Sequence, residues 1–157
     1  MNQYRIRPLK FPWPPFIYVA AAFVAYNIHN YVPVSLPISD RMLATAIGGI
    51  LLVLGVFLDL WALKTLHDRG TTVMPNRCAS YLVTCGPFRF TRNPIYLGYT
   101  LSLSGVGLLL NIAWLPLAAL ASAVITYIWV IRREELHLLS RFGFEFENYR
   151  RRARCWI

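Results

Sequence analysis

Long apolar runs separated by short basic segments are the dominant pattern of this sequence. The clearest run covers residues 42–63, where Asp59 is the only charged residue. Its length matches the roughly 20 residues that cross a hydrocarbon core of about 30 Å. A weaker run covers residues 16–32, where polar residues interrupt the end and Pro33 follows. Both runs predict helices that span a membrane.

Residues 95–131 form a longer stretch without any charged side chain. As a single helix this stretch would be roughly 55 Å long, which is too much for one crossing. Asn111, with Pro116 shortly after it, favours a turn. The pattern therefore predicts a hairpin of two spans, residues 95–110 and 112–131. Small residues four positions apart, as at Ala44 and Gly48, Gly98 and Ser102, and Ala118 and Ser122, predict close helix packing.

The basic residues predict how these spans are oriented. All of the sixteen lysines and arginines except Arg41 fall on one side of the predicted spans, which the positive-inside rule assigns to the cytoplasm. Both termini and the loop before residue 94 are then cytoplasmic. In the tail, residues 132–154, apolar side chains recur at helical spacing around a predicted helix stop at Gly143. We expect this tail to lie along the membrane surface with its arginines toward lipid headgroups.

The predicted fold is thus an all-α integral membrane protein with about four transmembrane helices, a cytoplasmic loop and an amphipathic C-terminal helical tail. We interpret residues 1–157 as a single domain, and the pattern gives no indication of its oligomeric state. The composition agrees, because 57% of the residues are hydrophobic. The net charge of +9 lies in blocks between apolar runs, which favours membrane lipids over nucleic acid as partners.

Metal and disulfide sites are not predicted. The cysteines, Cys78, Cys85 and Cys155, are odd in number and lack CxxC spacing, so we interpret them as reduced thiols. The histidines, at positions 29, 67 and 137, have no ligand-spaced partners. Asp59 is an acid inside a predicted span, and Lys64 or Arg69 is its expected partner.

Two segments on the predicted cytoplasmic side contain more residues suited to binding or catalysis than simple connections between spans would need. They are residues 70–96 and 132–154. The first combines glycines, prolines and aromatics just before a helix, and such irregular backbone is tolerated at membrane depth where it lines a cavity. The alternative is a connector with an interfacial aromatic belt. In the second, Glu134 and Glu135 are expected at a helix C-terminus, where they oppose the helix dipole and need a partner. That partner is either a nearby arginine or a cationic ligand such as a sulfonium or an ammonium.

The order of several motifs resembles one superfamily, the isoprenylcysteine carboxyl methyltransferases and phospholipid methyltransferases. These motifs are Leu82-Val83-Thr84, Gly86-Pro87-Phe88, Arg92-Asn93-Pro94-Ile95-Tyr96-Leu97-Gly98, Glu134-Glu135, and Phe142-Gly143 followed by Tyr149. The resemblance covers about Gly70 to Arg154. It implies a helical membrane enzyme that binds S-adenosylmethionine in a cytoplasmic pocket, while a lipophilic small-molecule or lipidated acceptor arrives from the bilayer.

The resemblance also implies roles for individual residues. Asn93, Tyr96 and Glu134 are the implied catalytic residues. The implied cofactor-binding residues are Ser80, Tyr81, Leu82, Val83, Phe88, Asn93, Pro94, Ile95, Tyr96, Glu134 and Glu135. Two positions depart from the prenylcysteine enzymes: Asn93 stands where they have histidine, and Val130 where they place an arginine for the acceptor carboxylate. The acceptor therefore stays open between a carboxylate, an amine and a thiol.

Two other functions remain compatible with the sequence. The sterol reductases have similar C-terminal helices and a similar acidic tail motif, which would make the chain a membrane reductase that uses NADPH. A non-catalytic membrane subunit that docks a partner through its loops is the other alternative.

Overall fold

A computed structural model describes residues 13–38, 40–70 and 81–156 of the chain. In these ranges the regular elements are helices, and the only strand-like feature is an isolated bridge between Thr91 and Arg154. The elements are α1 (Trp13–Tyr31), α2 (Arg41–Asp68), a 3-10 turn (Gly86–Arg89), α3 (Pro94–Leu110), α4 (Trp114–Thr126), a π-helical segment (Tyr127–Ile131), α5 (Arg132–Phe142) and α6 (Phe144–Arg152). The predicted all-α class is confirmed.

Two helices of the described chain are long and apolar enough to cross a membrane, judged by length and composition. One is α2, and the other is the continuous helical run Trp114–Phe142 that includes α4, the π-helical segment and α5. Helix α3 is apolar but shorter. The expectation of four spans with cytoplasmic termini stays a prediction.

Contacts between helix ends define how the helices run. Tyr18 near the start of α1 places its hydroxyl 2.7 Å from Thr100 Oγ1 near the start of α3. Arg41 at the start of α2 instead donates to the carbonyl of Leu109 at the end of α3, at 2.7 Å. Helices α1 and α3 therefore run in the same direction and α2 runs opposite to them. The loop of residues 81–93 and the tail of residues 132–156 consequently share one end with the start of α3, which we call the loop end.

The opposite end, which we call the turn end, contains residues 32–38, 40–41 and 111–114. Here Asn111 adopts a left-handed conformation with φ of 58°, which asparagine tolerates better than most residues. Its side-chain Oδ1 accepts a hydrogen bond from the backbone N–H of Leu36 at 3.2 Å. The predicted hairpin turn at Asn111 is confirmed. Helix α4 begins at Trp114 rather than at residue 112, because Ile112 and Ala113 complete the turn.

Glycines bring α2 and α3 into close contact. A Cβ atom added to Gly48 would lie 2.9 Å from the carbonyl oxygen of Gly105, and one added to Gly105 would lie 2.7 Å from that of Gly48. Similar overlaps occur between Gly55 and Gly98, about two helical turns further along. In lipid there is no hydrophobic effect that drives helices together, so close backbone packing of this kind stabilises their association instead. The predicted packing through small residues is confirmed at Gly48 and Gly98.

Several predicted boundaries were wrong. Helix α1 begins at Trp13 rather than at residue 16, because prolines in a first helical turn lose no hydrogen bond. It ends at Tyr31 rather than at residue 32. Helix α2 continues to Asp68 rather than stopping at residue 63, since Gly70, with φ of +61°, is the first residue that breaks it.

The largest correction concerns the end of the fourth predicted span. The helical run does not stop at residue 131 but continues to Phe142, where Gly143 with φ of +50° ends it. Glu134 and Glu135 therefore lie inside a continuous helical run, in the first turn of α5. The expectation that they oppose the dipole at a helix C-terminus was wrong, so their partners must be read from tertiary contacts.

Candidate active site

Arg92 is the centre of a polar network at the loop end. Its Nε and Nη2 atoms donate to a single oxygen of Glu135, at 2.9 and 2.6 Å. Its Nη1 atom donates to the carbonyls of Arg150 and Ala153, where α6 ends. Both side chains of the ion pair are mostly buried, with 12% of Arg92 and 23% of Glu135 exposed. Arg92 therefore ties the loop to both α5 and the tail.

The residues on either side of Arg92 hold the C-terminal segment in place. Thr91 Oγ1 and Asn93 Nδ2 donate to the same carbonyl of Cys155, at 3.2 and 2.9 Å. The backbone N–H of Arg92 donates to the carbonyl of Arg154 at 2.9 Å. Burial raises the pKa of the Cys155 thiol, and the negative charge of Glu135 raises it further. Cys155 is thus kept as a neutral thiol beside the network.

Tyr96, in the first turn of α3, forms a second contact with Glu134. The Tyr96 hydroxyl lies 2.9 Å from Oε1 and 3.1 Å from Oε2 of Glu134, so it donates to the carboxylate from a central position. Pro94 is the first residue of α3, and Asn93 before it is non-helical with φ of −130°. This matches the steric restriction that proline places on its predecessor. The predicted helix start at Pro94 is confirmed, and it fixes Tyr96 in the first turn.

The two glutamates face different partners because of the helix that carries them. They follow the π-helical segment Tyr127–Ile131, which joins α4 to α5 without a break. A π-helical turn contains more residues than an α-helical turn, so it rotates the residues that follow it. Consecutive residues of an α-helix point about 100° apart, so Glu134 contacts α3 while Glu135 contacts the loop. Segments of π-helix are frequent at functional sites.

The tail packs onto the loop through an apolar cluster. Phe146, Tyr149 and Ala153 are its buried members, and Leu82 packs against them from the loop. The Tyr149 hydroxyl donates to the carbonyl of Phe88 at 2.7 Å. Burial raises the pKa of this hydroxyl well above its usual range, and the charge of Arg92 opposes that effect. Tyr149 therefore remains a protonated donor.

The family of this chain is identified by comparison with known protein families. The family model described as phospholipid methyltransferase matches residues 43–145, which include Arg92, Tyr96 and both glutamates. The chain belongs to the phospholipid methyltransferase family. Together with the two long apolar helices, this membership indicates a membrane protein.

One curated relative of this family member is the nickel-cobalt-cadmium resistance protein NccN of Alcaligenes xylosoxydans xylosoxydans. The two are 40% identical over 110 residues, which cover 60% of this chain and 51% of the relative. The chain thus spans about half the length of that relative. No solved structure gives a significant match.

Some of the predicted site residues of this methyltransferase-family chain lie together at the loop end, and others lie apart from them. Tyr96 contacts Glu134, and Asn93 and Glu135 belong to the network around Arg92. Along the loop, Leu82, Val83 and Phe88 are half-buried, Pro94 is buried and Ile95 is half-buried. Tyr81 is largely exposed, with 70% of its surface accessible. Ser80 lies outside the described residues.

Sequence reasoning missed residues that complete the family member's site. Thr91 and Cys155 connect the loop to the C-terminal segment, and no local pattern marks either of them. Tyr18 also approaches α3 near its start, where its hydroxyl contacts the carbonyl of Tyr96 and the hydroxyl of Thr100. A tyrosine inside an apolar helix is the one signal that could have indicated this contact.

Asp59 does not form the expected ion pair. Within the described residues neither Lys64 nor Arg69 pairs with it. Its carboxylate instead packs against the backbone of Gly98, where a Cβ atom would collide with Oδ1.

Proposed function

We propose that the chain is a membrane methyltransferase that uses S-adenosylmethionine and acts on a lipophilic acceptor. Family membership supports methyl transfer, and one observation supports the cofactor. The carboxylate of Glu134 is held in place by the Tyr96 hydroxyl, but no described cation neutralises it. A buried or half-buried carboxylate without a cation favours a positively charged ligand.

The difference between the adjacent glutamates tests whether the residues fit the cofactor. Glu135 is neutralised by Arg92, whose donors are used by that carboxylate and by backbone carbonyls. Glu134 accepts only from the neutral hydroxyl of Tyr96 among the described residues. A sulfonium or an α-amino group would supply the positive counter-charge that the Glu134 carboxylate lacks. The carboxylate of Glu134 therefore fits a cationic sulfonium cofactor.

The chain's own residues would bind and orient the reactants. S-adenosylmethionine would supply an electrophilic methyl group for in-line displacement, which requires no covalent intermediate on the protein. Tyr96 fixes the orientation of the Glu134 carboxylate, and Glu134 offsets positive charge beside it. The first turn of α3 leaves N–H groups without helical partners, which suits a carboxylate of the ligand. Asn93 uses its amide nitrogen on Cys155, so its Oδ1 atom remains to accept a hydrogen bond from a ligand.

The acceptor is proposed as lipophilic because the site lies where apolar helices end. Exposed apolar side chains such as Ile128 and Trp129 lie on the π-helical segment directly before the glutamates. A carboxylate, an amine or a thiol at the end of such an acceptor would suit the reaction. The proteins named phospholipid methyltransferases make a lipid acceptor the first to test.

Calorimetry of the detergent-purified protein with S-adenosylmethionine tests the proposal. We expect saturable binding that Glu134→Gln weakens by about ten- to a hundredfold, because a charged contact contributes on the order of 1.5–3 kcal/mol. Glu135→Gln is the matched control and should have a smaller effect on affinity. A titration with NADPH in the same buffer separates the reductase alternative.

Three outcomes would contradict the proposal. Equal and unmeasurable effects of the two substitutions would mean that Glu134 has a structural role. Binding of NADPH instead of S-adenosylmethionine would favour a reductase. Binding of neither ligand would favour a non-catalytic subunit.

A further inference from the structure

A chain of hydrogen bonds leads from α1 to the first turn of α3. Thr100 donates its hydroxyl to the carbonyl of Tyr96 at 2.8 Å, and the Tyr18 hydroxyl lies 2.7 Å from Thr100 Oγ1. Because a threonine hydroxyl has one proton, Tyr18 is the donor of this second bond. Tyr18 also approaches the Tyr96 carbonyl itself, at 3.4 Å. Both hydroxyls therefore hold the backbone of the residue that contacts Glu134.

Tyr18 also lies against the helical run that carries Glu134. Its hydroxyl faces Thr126, the last residue of α4 before the π-helical segment. Tyr18 is 6% exposed and Thr126 is fully buried. Further along α1, Ala25 packs in one apolar cluster with residues of α4. Helix α1 therefore contacts both of the helices that bring Tyr96 and Glu134 together.

The contact between Tyr96 and Glu134 requires that these helices keep a fixed relative position. The Tyr96 hydroxyl lies 2.9 and 3.1 Å from the two carboxylate oxygens, and a hydrogen bond weakens steeply when its angle is lost. Tyr96 lies in the first turn of α3, where backbone N–H groups lack helical partners. The contacts from α1 supply a restraint that this turn does not have by itself.

The range that matches the family model does not include α1. That range is residues 43–145, whereas α1 covers Trp13–Tyr31. We propose that Tyr18 is a positioning residue for the proposed methyl-transfer site. Through Thr100 it holds the Tyr96 backbone, so that the Tyr96 hydroxyl keeps the Glu134 carboxylate in one orientation. The inference rests on the proposed function, because it takes Tyr96 and Glu134 as part of the cofactor site.

The first experiment needs no cofactor. The coupling energy between Tyr96 and Glu134 is obtained from the unfolding in detergent of the wild type, Tyr96→Phe, Glu134→Gln and the double variant. The same cycle is then measured with Tyr18→Phe added to every member. We expect the coupling to fall by at least about half, because the Tyr96 hydroxyl is no longer held against the carboxylate.

Two results of this cycle would overturn the proposal. An unchanged coupling would mean that Tyr18 only stabilises the packing of α1, and no coupling in the wild type would mean that there is no contact to position. Thr100→Val removes the same chain of hydrogen bonds and replaces Tyr18→Phe in the cycle if that variant does not fold.

The second experiment is calorimetry with S-adenosylmethionine. Tyr18→Phe and Thr100→Val should each weaken binding by about three- to tenfold, the range expected for one hydrogen bond. Thr100→Ser keeps the hydroxyl and should restore the affinity. Tyr26→Phe is the matched control, because it removes a hydroxyl from an exposed position of α1 that has no hydrogen bond to another described residue.

The background of Tyr96→Phe separates positioning from a general effect on the fold. In that background Tyr18→Phe should cause no further loss of affinity, since the hydroxyl that it positions is already absent. Additive losses, or equal losses in Tyr18→Phe and Tyr26→Phe, would overturn the proposal. If the wild type bound no S-adenosylmethionine but the coupling still fell with Tyr18→Phe, the cofactor assignment would be wrong and the positioning of Tyr96 by Tyr18 would stand.

Discussion

Two arginines close the two ends of the molecule in different ways. At the turn end the exposed Arg41 donates to the carbonyls of Leu108 and Leu109, which end α3. At the loop end the mostly buried Arg92 donates to Glu135 and to two carbonyls of the tail. The turn end is thus sealed mainly through backbone groups, whereas the loop end is built from charged side chains that depend on one another. The candidate chemistry lies at the end where these side chains converge.

The largest expected effect comes from removing the two arginines in turn. Arg92→Met should lower the free energy of unfolding by about 3 kcal/mol, because it leaves a mostly buried carboxylate and two carbonyls without their donor. Arg41→Met should cost about 1 kcal/mol, since water can replace an exposed donor. Unfolding in detergent, followed by circular dichroism, measures both variants.

A double-mutant cycle with Glu135→Gln separates the ion pair from the carbonyl contacts. We expect a coupling energy between positions 92 and 135 of about 1–2 kcal/mol. Equal losses for Arg92→Met and Arg41→Met, with no coupling to Glu135, would contradict the distinction between the two ends.

Between these ends, the stability of the packing between α2 and α3 should depend on the shape of the side chains rather than on their charge. Gly48→Ala should destabilise the protein by about 2 kcal/mol, because the new methyl group meets backbone atoms of Gly105 and Leu109 that have no room to move. Gly49→Ala is the matched control, since a Cβ atom there has nothing within 4 Å. If both variants unfold alike, the close approach of α2 and α3 is not what stabilises this region.

The sequence predicts the elements of this fold better than their partners. Helix α2 and the hairpin at Asn111 follow from hydrophobic period and turn chemistry, which are local properties. The partner of Glu135 does not, because Arg132, Arg133 and several loop arginines were all within reach along the chain. The direction of the Glu135 side chain depends on the continuation of the helix past residue 131. That continuation depends on tertiary packing, which is not a local property of the sequence.

The candidate site shows the same division between local and long-range information. Pro94 sets the start of α3 and so the position of Tyr96, which the sequence predicts from backbone restrictions. The contact of Thr91 with Cys155 joins residues that are 64 positions apart. No local pattern indicates such a contact, since it depends on the packing of α6 on the loop.

The smallest expected effect concerns the hydrogen bond that joins α6 to the loop. Tyr149→Phe removes the hydroxyl that donates to Phe88 and should cost about 1 kcal/mol near neutral pH. Tyr81→Phe is the control, because this exposed hydroxyl has no described partner, and it should change stability by less than about 0.5 kcal/mol.

The pH dependence sharpens this last prediction. Burial raises the pKa of Tyr149 in the folded protein, so above the ordinary tyrosine pKa of about 10 the unfolded chain loses this proton while the folded chain keeps it. The contribution of Tyr149 is therefore fully present below pH of about 10 and declines as the pH rises further. The difference in unfolding free energy between the wild type and Tyr149→Phe should shrink above that pH. A difference that grows with pH would mean that α6 does not bury this hydroxyl against the loop.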